Sequence, residues 1–173
     1  MIYKLKGFEP NIGENNFVAD TATVIGNVTT EKDVSIWFSA VMRADVCSIY
    51  VGEKTSIQDN VTIHGDEGND VLIGKNVTIG HNCIIHGCKI GDNSVIGMGT
   101  TILNGSVIPK NSLVGANSLV TPSLKAEEGM LILGSPARSV KKLSKEQQEY
   151  LKDSAKLYVN EIDVYKNKLE RVK

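Results

Sequence analysis

Aliphatic residues recur every six positions through most of this chain, and that beat constrains the fold more than any other feature. Ile90, Ile96, Ile102, Ile108, Val114 and Val120 stand six apart. Small polar residues follow four places later at Ser94, Thr100, Ser106, Ser112 and Ser118. Upstream the same beat runs through Val18, Val24, Thr30, Ile36 and Met42, resumes at Val51, Ile57 and Ile63, and again at Ile73, Ile79 and Ile85. Three intervals depart from it: nine residues from Met42 to Val51, ten from Ile63 to Ile73, and five from Ile85 to Ile90. An amphipathic helix would repeat at three and four, and a half-buried strand at two. A period of six fits neither, and predicts a β-solenoid of short strands in which three hexads close one triangular coil.

After Val120 the beat stops. Gly134-Ser135-Pro136 breaks the chain, and Ser144 to Gln147 has the form of a helix N-cap with a capping box. Leu151, Ala155, Tyr158, Ile162, Tyr165 and Leu169 then recur at helical spacing, which predicts a helix over roughly 144–170 with that stripe facing the solenoid. The expected organisation is a solenoid over 1–140, including a short lead-in, and a helical segment over 141–173. At 173 residues one cored domain suffices.

The register doubles as a map, because residues three hexads apart lie one coil above another. His64 and His86 both follow an inward isoleucine and are three hexads apart, so they stack on one face at about the 5 Å strand spacing. Arg43 joins that ladder below them. His81 falls on the preceding face, directly above Asp59, and is around a corner from the other two. Within one chain the three histidines do not converge. In a homotrimer the His81 of one subunit can meet His64 and His86 of the next, giving identical interfacial sites under closed symmetry. A histidine in a solenoid is ordinarily a solvated polar residue. These are the only 3 in the chain, two share a ladder, and the third stands over a carboxylate residue. Three imidazoles with an open fourth position form a catalytic zinc pattern; Fe²⁺ or Co²⁺ suits the same donors.

Bulk properties exclude several classes. A net charge of −1 gives no reason to expect a nucleic-acid partner. No stretch has the length and hydropathy of a membrane span, and the first ten residues lack the apolar core of a signal peptide, so no membrane association and a cytoplasmic location are expected. The 3 cysteines lack a disulfide-framework spacing, and Cys83 sits at an inward small-residue position.

Trp37-Phe38-Ser39-Ala40-Val41-Met42-Arg43-Ala44-Asp45, Ile57-Gln58-Asp59-Asn60, Thr78-Ile79-Gly80-His81 and His86-Gly87-Cys88 resemble the γ-class carbonic anhydrase family, as do Ile96-Gly97-Met98-Gly99 and Leu133-Gly134-Ser135-Pro136-Ala137. The resemblance covers nearly the whole chain. It implies a left-handed parallel β-helix of hexapeptide repeats, a handedness that no periodicity supplies, since parallel crossovers are otherwise right-handed. It implies a trimer with zinc or ferrous iron on His64, His81 and His86, and reversible hydration of CO₂ to bicarbonate by metal-bound hydroxide. Gln58 would hydrogen-bond the hydroxide or bicarbonate; Arg43, Asp45 and Asp59 would form an ion-pair network between subunits. Tyr158 matches a tyrosine able to reach the site. The family's acidic proton shuttle is missing: Val46 follows Asp45, and the loop Gly65 to Asp70 offers only Asp66, Glu67 and Asp70. Ser56 stands where the family commonly has Asn. Other functions compatible with the same frame are a metal-dependent hydrolase such as an acyl-CoA thioesterase, a hexapeptide-repeat acyltransferase, and a catalytically weak trimeric scaffold.

Overall fold

A computed structural model describes residues 1–172; Lys173, the last residue of the expected helical segment, lies outside them. The chain winds into a parallel β-solenoid of about seven turns, followed by one helix. Each coil contributes a short strand to each of three faces. The first face carries Ile36, Ile57, Ile79, Ile96, Val114 and Ile132 inward, with Val18 half-buried at its start. Val24, Met42, Ile63, Ile85, Ile102 and Val120 do so on the second, and Thr30, Val51, Ile73, Ile90 and Ile108 on the third. Ser94, Thr100, Ser106, Ser112 and Ser118 are buried at the coil corners. Their hydroxyls are satisfied by backbone carbonyls: Ser94 Oγ donates to Pro109 O at 3.0 Å, and Ser118 Oγ to Gly115 O at 2.7 Å. The six-residue beat is therefore the lumen of the solenoid read in order.

Corners between the first and second faces need a left-handed residue. Asn60 and Asn82 supply it at φ 60° and 59°; asparagine tolerates this region better than other residues with a side chain. Asn82 N–H donates to Asp59 O at 3.0 Å, which locks one corner on the next.

The three departures from the beat stack at one edge of the prism, between the second and third faces. The nine-residue interval forms a single strand, Val41–Val51, which turns the edge and joins both faces into one sheet. The ten-residue interval becomes the loop following Thr62–His64. The five-residue interval turns at Gly87, φ 51°.

Past Val120 the solenoid ends differently from a plain stop. Met130–Gly134 adds one more parallel strand beside Leu113–Val114, and Ala137–Lys142 returns antiparallel to it. Ile132 stands three hexads after Val114 and is fully buried, so the register outlasts Val120; only the returning strand Ala137–Lys142 falls outside it. The helix spans Lys145–Lys168, with both capping-box bonds between Ser144 and Gln147 present. It packs on the first face against Phe17–Val18, Ser35–Ile36 and Ser56–Ile57. Leu151, Ala155 and Ile162 are buried, while Tyr158 and Tyr165 pack partly buried around Trp37 at centroid distances of 5.9 and 4.7 Å. Leu169 departs from the expected stripe. It is the exposed C-cap, because the helical turn ends before it.

Candidate metal centre

His64 and His86 occupy the ends of Thr62–His64 and Ile84–His86, paired in register on the second face. Their ring centroids are 5.1 Å apart, and His64 Nδ1 faces His86 Nε2 at 3.0 Å. The outer nitrogens are already engaged. His64 Nε2 lies 3.0 Å from Asp45 Oδ1, and the second Asp45 oxygen accepts from the Arg43 guanidinium. Burial pushes the Asp45 carboxyl up, but hydrogen bonds from His64, its own backbone and Arg43 outweigh this and hold it below the ordinary aspartate value. An ionised carboxylate only accepts, so the hydrogen bond assigns the proton of neutral His64 to Nε2. His86 Nδ1 lies 2.7 Å from the Asn104 carbonyl oxygen, and Asn104 Nδ2 donates to Asp66 Oδ2 at 2.6 Å. With the amide turned this way, a neutral His86 carries its proton on Nδ1.

Both inner nitrogens then present lone pairs to one another. Two acceptors at 3.0 Å repel unless a cation lies between them. Zinc bound at about 2.0–2.1 Å with tetrahedral angles would set two nitrogens about 3.3 Å apart, so the pair fits a divalent ion with a few tenths of an ångström of adjustment. Each imidazole also has the outer acceptor that metal-bound histidines use to fix ring orientation. Among the described residues, the group of metal-ligating atoms lying within 4.8 Å of one another is His64, Asp66 and His86.

His81 is not in that group. It belongs to the corner after Thr78–Ile79 on the first face, where its Nδ1 lies 2.9 Å from Asp59 Oδ2. Its Nε2 is left without a partner among the described residues, and its side chain is 41% exposed. Asp59, expected in a network with Arg43, is engaged by His81 within the chain. Next to Asp59, Gln58 is buried at 5% exposure and lies beside the Tyr158 hydroxyl. Desolvation and the Asp59 charge raise the Tyr158 pKa, and the Gln58 amide only partly opposes them. One chain thus carries two separate constellations: Arg43, Asp45, His64 and His86 on one face, and Gln58, Asp59, His81 and Tyr158 around the corner.

Two residues of the first constellation escape motif reading. Asn104 stands one coil above Gly87 on the histidine face, a position the register supplies but no motif flags. Asp66 reaches back because the loop following His64 folds over the edge. The cysteines take no part: Cys83 donates to Gly97 O at 3.2 Å, and burial pushes its thiol up to about 11 and that of Cys88 to about 12.

Comparison with known proteins adds to this geometry. The family described as hexapeptide repeat of succinyl-transferase matches residues 70–104. Protein YrdA of Escherichia coli is 42% identical over 90% of this chain and 89% of its own length. A carbonic anhydrase of Geobacillus kaustophilus is 37% identical over 96% of this chain and 91% of its own. The mitochondrial gamma carbonic anhydrase 2 of Arabidopsis thaliana is 40% identical over 87% of this chain and 56% of its own. Among solved structures, a hexapeptide transferase family protein from Anaplasma phagocytophilum superposes with a TM-score of 0.91 at 38% identity, covering 95% of this chain and 98% of that one.

Proposed function

The chain belongs to the γ-class carbonic anhydrase family, and from that premise we propose that it catalyses the reversible hydration of CO₂ to bicarbonate at a metal site shared between subunits of a homotrimer. The observation that carries this reading is the 3.0 Å approach of His64 Nδ1 to His86 Nε2, with the other nitrogen of each ring against Asp45 or Asn104. His64 and His86 of one subunit and His81 of its neighbour would hold the ion, with zinc the first choice and Fe²⁺ or Co²⁺ suited to the same donors.

When bound, a divalent metal supplies Lewis acidity that brings the ionisation of water toward neutral pH. The protein's own groups do the rest. Asp45 and Asn104 hold the His64 and His86 rings with their lone pairs inward. Arg43 keeps the Asp45 carboxylate ionised and aimed at His64. Asp59 holds His81 with Nε2 free. Gln58, whose amide both donates and accepts, orients the attacking oxygen and the bicarbonate product. Tyr158 places its hydroxyl beside that amide.

Asp66 offers an oxygen near the two imidazoles, but it already accepts from Asn104. His81 has its Nε2 unengaged, and a third imidazole completes a three-histidine set with an open fourth position, which favours it as the third ligand.

The test combines metal analysis with stopped-flow CO₂ hydration on protein reconstituted anaerobically with Zn²⁺ or Fe²⁺, beside an acyl-CoA hydrolysis assay. One ion per chain with CO₂ hydration supports the proposal. Metal uptake with thioester cleavage and no CO₂ hydration would replace the lyase by a hydrolase. No metal under any loading condition would remove both.

A further inference from the structure

Of the two stacked histidines, His86 needs the rarer tautomer. Neutral histidine in water favours the form with its proton on Nε2. That form suits His64, whose inner nitrogen is Nδ1, but is the wrong one for His86, whose inner nitrogen is Nε2. Something must hold the His86 proton on Nδ1.

The Asp66–Asn104–His86 chain has the direction to do so. Asn104 has two possible amide orientations, and a carboxylate at one end selects between them. Asp66 Oδ2 can only accept, so the amide nitrogen faces it at 2.6 Å and the carbonyl oxygen faces His86 Nδ1 at 2.7 Å. Backbone packing fixes the amide in place. A Cβ on Gly87 would stand 2.1 Å from Asn104 Oδ1, so the amide occupies the space that the glycine leaves open. Gly105 N–H, next to Asn104, donates to Gly87 O at 2.8 Å and ties the two coils together there.

We propose that Asn104 is a positioning residue: directed by Asp66, its carbonyl selects the His86 tautomer that turns a lone pair toward His64. The proposal rests on the metal-site reading above for its purpose, but its tautomer claim is readable without any metal.

The experiment is long-range ¹H–¹⁵N correlation on metal-free, ¹⁵N-histidine-labelled protein, at a pH where the imidazoles are neutral, followed by zinc titration of the same samples. Wild type should show His86 protonated on Nδ1. In Asn104→Ala the proton should move to Nε2, and zinc affinity should fall about 10–100-fold, the usual loss when an outer partner of a metal-bound histidine is removed. The double variant Asp66→Asn, Asn104→Asp reverses the donor and acceptor between these two residues while leaving an acceptor on His86. It should restore the Nδ1 form and recover most of the affinity. An unchanged His86 tautomer in Asn104→Ala overturns the proposal, and so does a changed tautomer with unchanged zinc affinity. A wild type that shows the Nδ1 form but takes up no zinc overturns the metal reading and leaves the tautomer selection standing.

Discussion

His64 Nδ1 and His86 Nε2 face each other at 3.0 Å, while the other nitrogen of each ring lies against Asp45 or Asn104; in neutral rings with their protons directed outward, both facing nitrogens carry lone pairs. An arrangement that is unfavourable empty is favourable around a cation. Zinc at 100 times its dissociation constant should raise stability by about 2.7 kcal/mol, and chelation should reverse the gain. His64→Ala and His86→Ala should abolish that increment in thermal denaturation.

His81 gives a sharper test, because it stands apart from the other two histidines in its own chain. His81→Ala and His64→Ala should each fail to bind metal alone. Dissociated and reassembled together, they should recover part of the metal content, since some interfaces then join an intact His81 to an intact His64–His86 pair. No recovery in mixed assemblies of verified subunit exchange would place all three ligands in one chain.

Asp45 carries the clearest pH signature. Its folded pKa lies below the ordinary aspartate value. A carboxyl lowered on folding contributes stability that is present above its unfolded pKa and is lost as pH falls through the folded one. Stability should therefore decline as pH drops below about 4, and Asp45→Asn should flatten that acid limb in a denaturation series. The same variant should weaken metal binding by about tenfold or more, since His64 loses its outer acceptor.

Gln58 and Tyr158 should separate by magnitude. Gln58→Ala removes the amide that orients the oxygen and should lower kcat/KM for CO₂ hydration by about 100-fold, in the range seen when one oriented donor is lost. Tyr158→Phe removes only a hydroxyl beside that amide, and should cost less than that. Because burial and the Asp59 charge raise the Tyr158 pKa, its hydroxyl stays protonated through neutral and mildly alkaline pH. The wild-type to Tyr158→Phe rate ratio should accordingly stay constant there; a ratio that titrates near neutrality would assign the phenol a proton-transfer role.

Proton export should be the weak step. Beside Asp45 the chain carries the exposed, apolar Val46, which cannot relay a proton. CO₂ hydration should rise strongly with buffer concentration, because a soluble base then does what no side chain does. A fast, buffer-independent rate would point to a relay through Asp66 or its loop.

Lumen packing should dominate stability. Ile96 is fully buried, and Ile96→Ala should cost about 2–5 kcal/mol. Leu157→Ala, on the exposed side of the helix, should change it by less than about 0.5 kcal/mol. Denaturant titration at one fixed protein concentration checks both.

By itself the sequence determined the solenoid, its inward residues and the vertical neighbours of its histidines. In a structure of uniform coils the relation between residues one coil apart is set by a count, so His64 under His86 and Asp59 under His81 follow from spacing alone. The capping box and the inward stripe through Leu151, Ala155 and Ile162 were legible for a similar reason, since both are local to one helix. Only the tertiary structure decided what surrounds each imidazole. Asp45 reaches His64, Asp66 reaches Asn104 and Gly87 makes room for that amide because three departures from the beat stack at one edge, where counting no longer gives position. Tyr158 meets Gln58 because the helix docks on the first face, a choice made by the aromatic cluster of Phe17, Trp37 and Tyr165. The six-residue beat fixed where the histidines stand; side-chain contacts across irregular coils fixed which nitrogens of His64 and His86 face each other.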